Sequence, residues 1–199
     1  PGISDPGAVL VAAAHAAGIT VVPIPGASAA IAALSAAGLP GPFVFLGFLS
    51  SRAASRRKEL EAWATHPATL VLYEAPHRVA ETIDDLSAGL GGDRIVVIAR
   101  ELTKRFEEIK RLPLGDAAAW IAADEHRRRG EFVLVVAGAP PSAPSSSEIE
   151  RVLDVLLESL PLKHAVAIAV KLTGARRNDV YPIALERAKH LPDEPTSEP

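Results

Sequence analysis

The chain has 199 residues, 48% of them hydrophobic and 23% charged, with a net charge of −3 at pH 7. This length and apolar content predict a globular protein with a sizeable core, and the near-neutral charge excludes a polycation that binds nucleic acid through its overall field. The absence of cysteine excludes disulfides and sulfur-based zinc sites, and no apolar run approaches the roughly 20 residues that cross a membrane.

The first 38 residues alternate between helix and strand signals. Residues 8–17 predict a helix that ends at Gly18, and residues 19–23 predict a short β-branched strand. The small-residue loop PGAS, residues 25–28, then leads into an alanine-rich helix that stops at Gly38. A strand followed by such a loop and a helix start exposes backbone N–H groups, as cofactor sites often do.

Residues 39–42, LPGP, form a stiff break that predicts a domain boundary. Beyond it, strand and helix patterns alternate as far as residue 137. The predicted strands are 43–46, 69–73, 94–99, 108–112 and 132–137, and the predicted helices are 53–63, 79–90 and 117–129. Because the strands are continuously apolar, the pattern indicates an α/β sheet that is covered on both faces.

The remainder of the chain differs in composition. Residues 138–147, GAPPSAPSSS, are typical of a linker, and helices are predicted from 148 to about 188. The last nine residues, 191–199, are polar and proline-rich and predict a disordered tail. We therefore divide the chain into a remnant of an N-terminal α/β domain (1–38), an α/β domain (43–139), a helical appendage (148–190) and the tail.

Charged residues gather in the loops that flank three predicted strands. They are Glu74, His77 and Arg78 after the second strand, Glu101, Lys104, Glu107 and Glu108 after the third, and Glu131 before the last. Loops at strand ends carry function in open α/β sheets. Surface ion pairs would account for each loop taken alone, and no metal, Walker-type, GxSxG or GxGxxG motif is present.

Taken together and in order, seven segments resemble the tetrapyrrole methylase superfamily. They are PGISDPG, PIPGASAAIAAL, FLGFLS, LYEAPHR, ARELTKRFEE, GEFVLVVAG and LKHAVAIAVKLTGARRNDVYPIAL. YEAPHR followed by ELTK and EE is similar to the branch that methylates the ribose 2′-oxygen of a cytidine in small-subunit ribosomal RNA. The resemblance implies a two-domain α/β fold with an incomplete N-terminal domain and a helix-turn-helix-like C-terminal appendage.

The resemblance also implies S-adenosyl-L-methionine as methyl donor. The cofactor-binding residues that it implies are Ile3, Ser4, Asp5, Ser28, Ala29, Leu72 and Tyr73. The chain begins inside PGISDPG and has no methionine, so we expect it to be the C-terminal part of a longer enzyme. The family's glycine-rich first strand would lie upstream, and without it this piece is expected to bind the cofactor poorly.

A ribose hydroxyl is a weak acid, so its methylation needs a group that positions it or accepts its proton. Glu74, Glu101 and Lys104 are the candidates for this catalytic role. The candidates for RNA contact are His77, Arg78, Arg176 and Arg177. The expected partner is ribosomal RNA or the small ribosomal subunit, and we expect a cytoplasmic homodimer with no membrane contact and no metal.

Three alternatives remain at this point. The first is a precorrin-type tetrapyrrole methyltransferase, and the second is a non-catalytic RNA-binding or dimerisation fragment. The third is a DNA-binding regulator, for which only the terminal helices speak. The last helices also suit an αα-hairpin that only packs on the rest of the protein.

Overall fold

In a computed structural model of the protein, residues 2–140 and 144–189 are described. The chain divides into two compact units, one reaching Pro140 and the other starting at Pro141.

The first unit is built on a mixed sheet with strand order β1-β2-β5-β3-β4. Its strands are β1 (Phe43–Phe48), β2 (Thr69–Glu74), β3 (Ile95–Arg100), β4 (Glu108–Pro113) and β5 (Phe132–Val136). The β1 and β2 strands are parallel, whereas β5 lies antiparallel between β2 and β3. The ends of β2 and β3 and the start of β5 therefore meet at one edge of the sheet.

Helices cover both faces of this sheet. After α1 (Ala8–Ala16), which has no buried residue, these helices are α2 (Ala29–Ala37), α3 (Ala53–Glu61), α4 (Val79–Leu90) and α5 (Leu114–Ala122). One face packs against α3, α4 and α5 through large side chains such as Leu60, Ile83 and Ile121. The other face packs against the alanines of α2, whose small size lets the helix approach the strands closely. The predicted α/β sheet with two covered faces is confirmed.

The strand predicted at residues 19–23 is wrong. This segment has no regular structure and pairs with no other strand in the described part of the chain. Ile19 and Val22 are 61% and 68% exposed. A strand exists only where its backbone N–H and C=O groups are paired with a neighbour, and β-branched residues alone do not provide that partner.

The helix predicted at residues 117–129 is also only partly correct. The α5 helix starts earlier, at Leu114, and stops at Ala122, and a separate 3₁₀ turn follows at Glu125–Arg128. Asp124 separates the two, because its backbone is extended and its carboxylate accepts a hydrogen bond from the His126 N–H at 2.8 Å. An aspartate that caps a new turn in this way competes with continuation of the helix.

The second unit is a three-helix cluster of α6 (Ser146–Leu157), α7 (Leu162–Thr173) and α8 (Arg177–Ala188). The helices share an apolar core that includes Leu153, Val166 and Val180. The α7 helix ends at Gly174, which adopts the left-handed conformation that glycine tolerates best. The tail predicted at 191–199 and residues 141–143 of the predicted linker lie outside the described residues, and the boundary predicted at 39–42 stays a prediction.

Candidate active site

The sheet brings the three charged loops to one edge. In the registers of the central strands, Phe132 at the start of β5 faces Glu74 at the end of β2 and Arg100 at the end of β3. The loop after β2, the loop after β3 and the loop before β5 are therefore neighbours. The antiparallel direction of β5 places the loop before this strand beside the loops that follow β2 and β3.

A cavity of about 410 Å³ opens at this edge. Its lining comes from six separated stretches of the chain and consists of Ser4, Ala29, Phe48, Tyr73, Glu74, Ala75, Pro76, Leu102, Glu131, Phe132 and Val133. The volume lies within the range of small-molecule and cofactor sites, about 300–1,000 Å³. Most of the lining is apolar, and the carboxylate side chains come from the β2 and β5 ends.

Aromatic rings form one wall of the cavity. The Tyr73 ring packs edge-on against Phe48 and Phe45, with ring centroids 5.7 and 4.9 Å apart. Its hydroxyl accepts a hydrogen bond from the Ala30 N–H at 3.3 Å, which ties β2 to the start of α2. Ser28 at the start of α2 makes no capping side-chain bond and is not part of the lining, which includes its neighbour Ala29.

The loop at the beginning of the chain reaches the same cavity. Ser4 has a positive φ of 52°, and its Oγ would lie 3.3 Å from a Cβ built on Gly47. Gly47 lies where the register of β1 with β2 shifts and has a φ of +66°, so a side chain there would be both strained and crowded. Ile3 and Asp5 are exposed and are not part of the lining.

An acid–base cluster lies at the rim, made of Glu101, Lys104 and Glu131. The Lys104 Nζ donates hydrogen bonds to Glu101 Oε1 and to Glu131 Oε2, each at 2.9 Å. Glu101 Oε1 also accepts a bond from the Glu131 backbone N–H at 2.9 Å. The Glu131 side chain is 85% exposed, whereas that of Glu101 is 18% exposed.

These contacts shift two pKa values in opposite directions. Hydrogen bonds from the Lys104 ammonium and from the Glu131 N–H hold the pKa of Glu101 below its ordinary 4.5. Hydrogen bonds to Glu131 and Glu101 raise the pKa of Lys104 above its ordinary 10.5. The ammonium therefore stays protonated at neutral pH and acts as a fixed cation.

Backbone strain accompanies this cluster. Glu101 and Thr103 both have a positive φ, at 50° and 63°, which costs free energy in residues other than glycine. A Cβ added to Gly130 would lie 2.5 to 2.6 Å from Glu101 side-chain atoms. The carboxylate of Glu101 thus has its place only because residue 130 lacks a side chain.

Glu74 lies at the cavity wall, but its carboxylate is engaged inside the protein. It accepts hydrogen bonds from Thr82 Oγ1 at 2.6 Å, the Ala75 N–H at 2.7 Å and Arg78 at 3.3 Å. Arg78 also donates to the carbonyls of Leu49 and Ser50. Together these bonds hold the β1–α3 and β2–α4 loops in place.

The other predicted site residues occupy three settings. Leu72 is fully buried among the residues that face α4 and α5 and does not line the cavity. His77 is exposed next to the cavity lining. Arg176 and Arg177 belong to the helical unit, where both are exposed at the start of α8.

Glu131 is a candidate that was not selected from the sequence, although it stands among the charged loops. Its position beside Lys104 results from the antiparallel placement of β5, which no local pattern reveals. Phe48 was missed for a similar reason, since it falls just beyond the strand predicted at 43–46. In the part of the chain that the structure describes, no three metal-binding side chains converge, and no helix is long and apolar enough to cross a membrane.

Comparison with protein families decides the classification of this sheet and its cavity. The family described as Tetrapyrrole (Corrin/Porphyrin) Methylases matches residues 1–118. The chain belongs to the tetrapyrrole methylase family. The family predicted from the seven segments is thus confirmed, and with it a methyltransferase class that uses S-adenosyl-L-methionine. The helical unit of this tetrapyrrole methylase matches the RsmI C-terminal HTH domain over residues 143–188, which confirms the predicted helix-turn-helix-like appendage.

Individual members of the tetrapyrrole methylase family show closer similarity. Ribosomal RNA small subunit methyltransferase I of Pseudomonas aeruginosa is 52% identical over 94% of this chain and 68% of its own length. The Escherichia coli O157:H7 protein of that name is 46% identical over 94% of this chain and 66% of its own length. The chain spans about two thirds of the length of these relatives. The crystal structure of the methyltransferase CobJ matches 73% of this chain and 62% of its own, with 22% identity and a TM-score of 0.52, which shows a shared fold.

Proposed function

We propose that the whole protein transfers a methyl group from S-adenosyl-L-methionine to the ribose 2′-oxygen of a cytidine in small-subunit ribosomal RNA. The observation that carries this proposal is the Glu101–Lys104–Glu131 cluster at the rim of a largely apolar cavity. The two relatives with 52% and 46% identity are named for small-subunit ribosomal RNA. Their names favour RNA over the tetrapyrrole alternative as the substrate.

The cavity residues suit the cofactor. The aromatic and apolar wall at Phe48, Tyr73 and Val133 fits a flat adenine ring, and Ala29 leaves room at the start of α2. The hydroxyl of Ser4 in the lining, the nearby hydroxyl of Ser28 and the Ala29 N–H at the start of α2 are polar groups suited to the ribose and carboxylate. When bound there, S-adenosyl-L-methionine supplies a methyl group on a sulfonium that is already a good leaving group.

Lys104 has the leading role among this chain's own residues. Because its pKa is raised by two carboxylates, it is a cation and not a general base. An ammonium placed beside the 2′-oxygen orients the hydroxyl and stabilises the negative charge that develops as its proton leaves. Lys104 is thus a positively charged anchor for the reacting oxygen.

Glu131 is the carboxylate best placed to accept that proton. It lines the cavity and its side chain is 85% exposed, so an incoming hydroxyl can reach it. Glu101, the acid predicted from sequence, has a lowered pKa, which weakens it as a base. Its role in this proposal is to hold Lys104. Glu74 is a positioning residue, because its carboxylate is already occupied by three internal donors.

The helical unit is proposed to contact RNA. Arg176 and Arg177 are exposed at the N-terminal end of α8, directly after the turn at Gly174. In helix-turn-helix units the start of the second helix carries phosphate and base contacts. The match to an HTH domain supports this role over that of a purely structural hairpin. A homodimer in the cytoplasm completes the proposal.

The test uses a protein that contains this chain and is as long as its relatives. It compares the variants Lys104→Met and Glu131→Gln with Lys110→Met. Lys110 is an exposed lysine of β4 and does not line the cavity. We expect kcat for 2′-O-methylation of small subunits to fall about 100-fold for Lys104→Met and about tenfold or more for Glu131→Gln. Lys110→Met should retain kcat.

Calorimetry with S-adenosyl-L-methionine separates chemistry from binding. The dissociation constant should stay within about twofold in all three variants, since a loss in kcat alone marks an interaction made in the transition state. Wild-type turnover with Lys104→Met would refute the proposed role of the cluster. Methylation of the base, or of no RNA at all, would refute the proposed reaction.

A further inference from the structure

A second cavity of about 490 Å³ is lined in part by Glu101 and shares no lining residue with the one described above. It is lined by Arg100, Glu101, Phe106, His126, Arg129 and Gly130. The two cavities flank the acid–base cluster, because Glu101 lines one and Glu131 lines the other. A molecule in the second cavity would lie next to the reacting groups without occupying the first.

One wall of this cavity is the solvent-exposed ring of Phe106. Phe106 is 64% exposed, and the Arg105 guanidinium lies 5.5 Å from the centre of its ring. The loop that carries it is closed by hydrogen bonds from the Lys104 N–H to the Glu101 carbonyl and from the Glu107 N–H to the Lys104 carbonyl. The Phe106 ring would have to break these hydrogen bonds to pack onto the core. It therefore stays exposed, where a ligand can contact it.

The loop between β3 and β4, which carries Phe106, is also held by a side-chain hydrogen bond. The Thr103 N–H donates to Glu107 Oε2 at 2.6 Å, and Thr103 has a φ of 63°. A non-glycine residue persists in this conformation only when its surroundings enforce it, and such residues cluster at binding sites.

The opposite wall is cationic. The buried guanidinium of Arg100 donates to the carbonyls of His126 and Arg129 at 3.2 and 3.3 Å and so fixes the 3₁₀ segment. Arg129 itself is exposed and forms no ion pair with the residues that the structure describes. Its neighbour Arg127 differs, since it stacks on Trp120 and pairs with Glu108. Arg129 is thus the basic residue at this wall that remains available to an anion.

We propose that the second cavity binds a single-stranded RNA nucleotide that flanks the methylated one, with its base on the Phe106 ring and its phosphate at Arg129. The inference rests on the proposed function. Stacking on an exposed aromatic ring beside arginines is how proteins hold unpaired bases. The lining carries two arginines, Arg100 and Arg129, against one carboxylate, Glu101, so its formal charge is positive and complements a phosphate.

The direct test measures binding of a fluorescent single-stranded RNA of about 12 nucleotides by anisotropy, using the protein at the full length of its relatives. Phe106→Ala and Arg129→Ala should each weaken RNA binding about tenfold, whereas Phe106→Trp, which keeps a stacking surface, should bind like the wild type. Arg128→Ala is the matched control, because Arg128 is an adjacent exposed arginine that does not line the cavity. It should weaken binding less than about twofold.

Two further measurements keep the outcomes distinct. The dissociation constant for S-adenosyl-L-methionine should be unchanged in every variant, and gel filtration should show the wild-type oligomer. Equal RNA binding by Phe106→Ala and the wild type, or an equal loss with Arg128→Ala, would overturn the inference. So would a change of oligomeric state in place of RNA affinity, which would assign the surface to a second copy. RNA binding that depends on Phe106 without any methylation would refute the proposed function and leave the nucleotide site standing.

Discussion

Lys104 Nζ lies 2.9 Å from Glu101 Oε1, and the same carboxylate oxygen accepts a hydrogen bond from the Glu131 backbone N–H. One atom thereby joins the loop after β3 to the start of β5. Movement of the Glu101 side chain would release the ammonium from its place and loosen the beginning of the central strand. The position of the cation is thus controlled by a residue that need not itself touch the substrate.

The first prediction concerns the space that Glu101 occupies. In Gly130→Ala the new Cβ would overlap the Glu101 side chain at 2.5 to 2.6 Å. The carboxylate must then move and give up its bonds to Lys104 and to the Glu131 N–H. We expect kcat for methyl transfer to fall at least about tenfold, measured at saturating RNA and cofactor.

Gly91→Ala is the matched control for that experiment. Gly91 has a φ of +97°, almost the same as the +95° of Gly130, but a Cβ there would meet nothing within 4 Å. Backbone strain should therefore cost each variant a similar free energy of unfolding, on the order of 1 kcal/mol, and only Gly130→Ala should also displace Glu101. If Gly91→Ala lost as much activity as Gly130→Ala, strain and not the Glu101 contact would be the cause.

The second prediction concerns pH. The pKa of Glu101 is lower in the folded protein than its ordinary value of 4.5, so its stabilising effect is present above pH 4.5 and is lost as the pH falls through the folded pKa. The difference in Tm between the wild type and Glu101→Gln should be constant near neutrality and shrink below about pH 4.5. A difference that stayed constant down to pH 3 would contradict the lowered pKa.

The third prediction concerns Glu74 as a structural carboxylate. Glu74→Gln keeps the shape of the side chain but removes its negative charge. Thr82, Arg78 and the Ala75 N–H donate hydrogen bonds to that charged carboxylate. We expect a loss of about 2–4 kcal/mol in the free energy of unfolding, measured by urea denaturation. The control, Glu61→Gln on the exposed side of α3, should change stability by less than about 0.5 kcal/mol. Unchanged stability with lost kcat would instead make Glu74 a catalytic group.

The fourth prediction concerns the helical unit. Replacement of Arg176 and Arg177 by alanine should weaken binding to small ribosomal subunits. It should also reduce the slope of log K against log salt concentration by about one for each phosphate that the protein no longer neutralises. The cofactor dissociation constant should not change. Arg151→Ala, an exposed arginine on α6, serves as the comparison. An equal effect of Arg151→Ala would indicate diffuse electrostatic attraction in place of a contact by the start of α8.

Much of the fold followed from local pattern. The helix predicted at residues 79–90 is observed as Val79–Leu90, and the end of α2 at Gly38 is confirmed by its left-handed conformation. The five strands of the sheet were predicted to within about two residues. These elements are long or continuously apolar, and caps or glycines mark their ends, so neighbouring residues alone determine them.

The errors lie where long-range partners decide. Residues 19–23 have the composition of a strand but no ladder partner in the described part of the chain. The alternation of strands and helices predicted a sheet covered on both faces but no strand directions, and β5 lies antiparallel between β2 and β3. Local propensity does not distinguish these outcomes, because strand pairing is set by contacts between residues far apart in the sequence.

By itself, the sequence determined the family, the elements of the sheet and the loops in which the charged residues stand. Only the tertiary structure decided what each charge does. It enclosed Glu74 among internal donors, left Glu131 exposed at the cavity, and placed Lys104 between two carboxylates. The reason is physical: the pKa and the availability of a charged group depend on its burial and its hydrogen-bond partners, and here those partners come from strands and loops that only the folded sheet brings together.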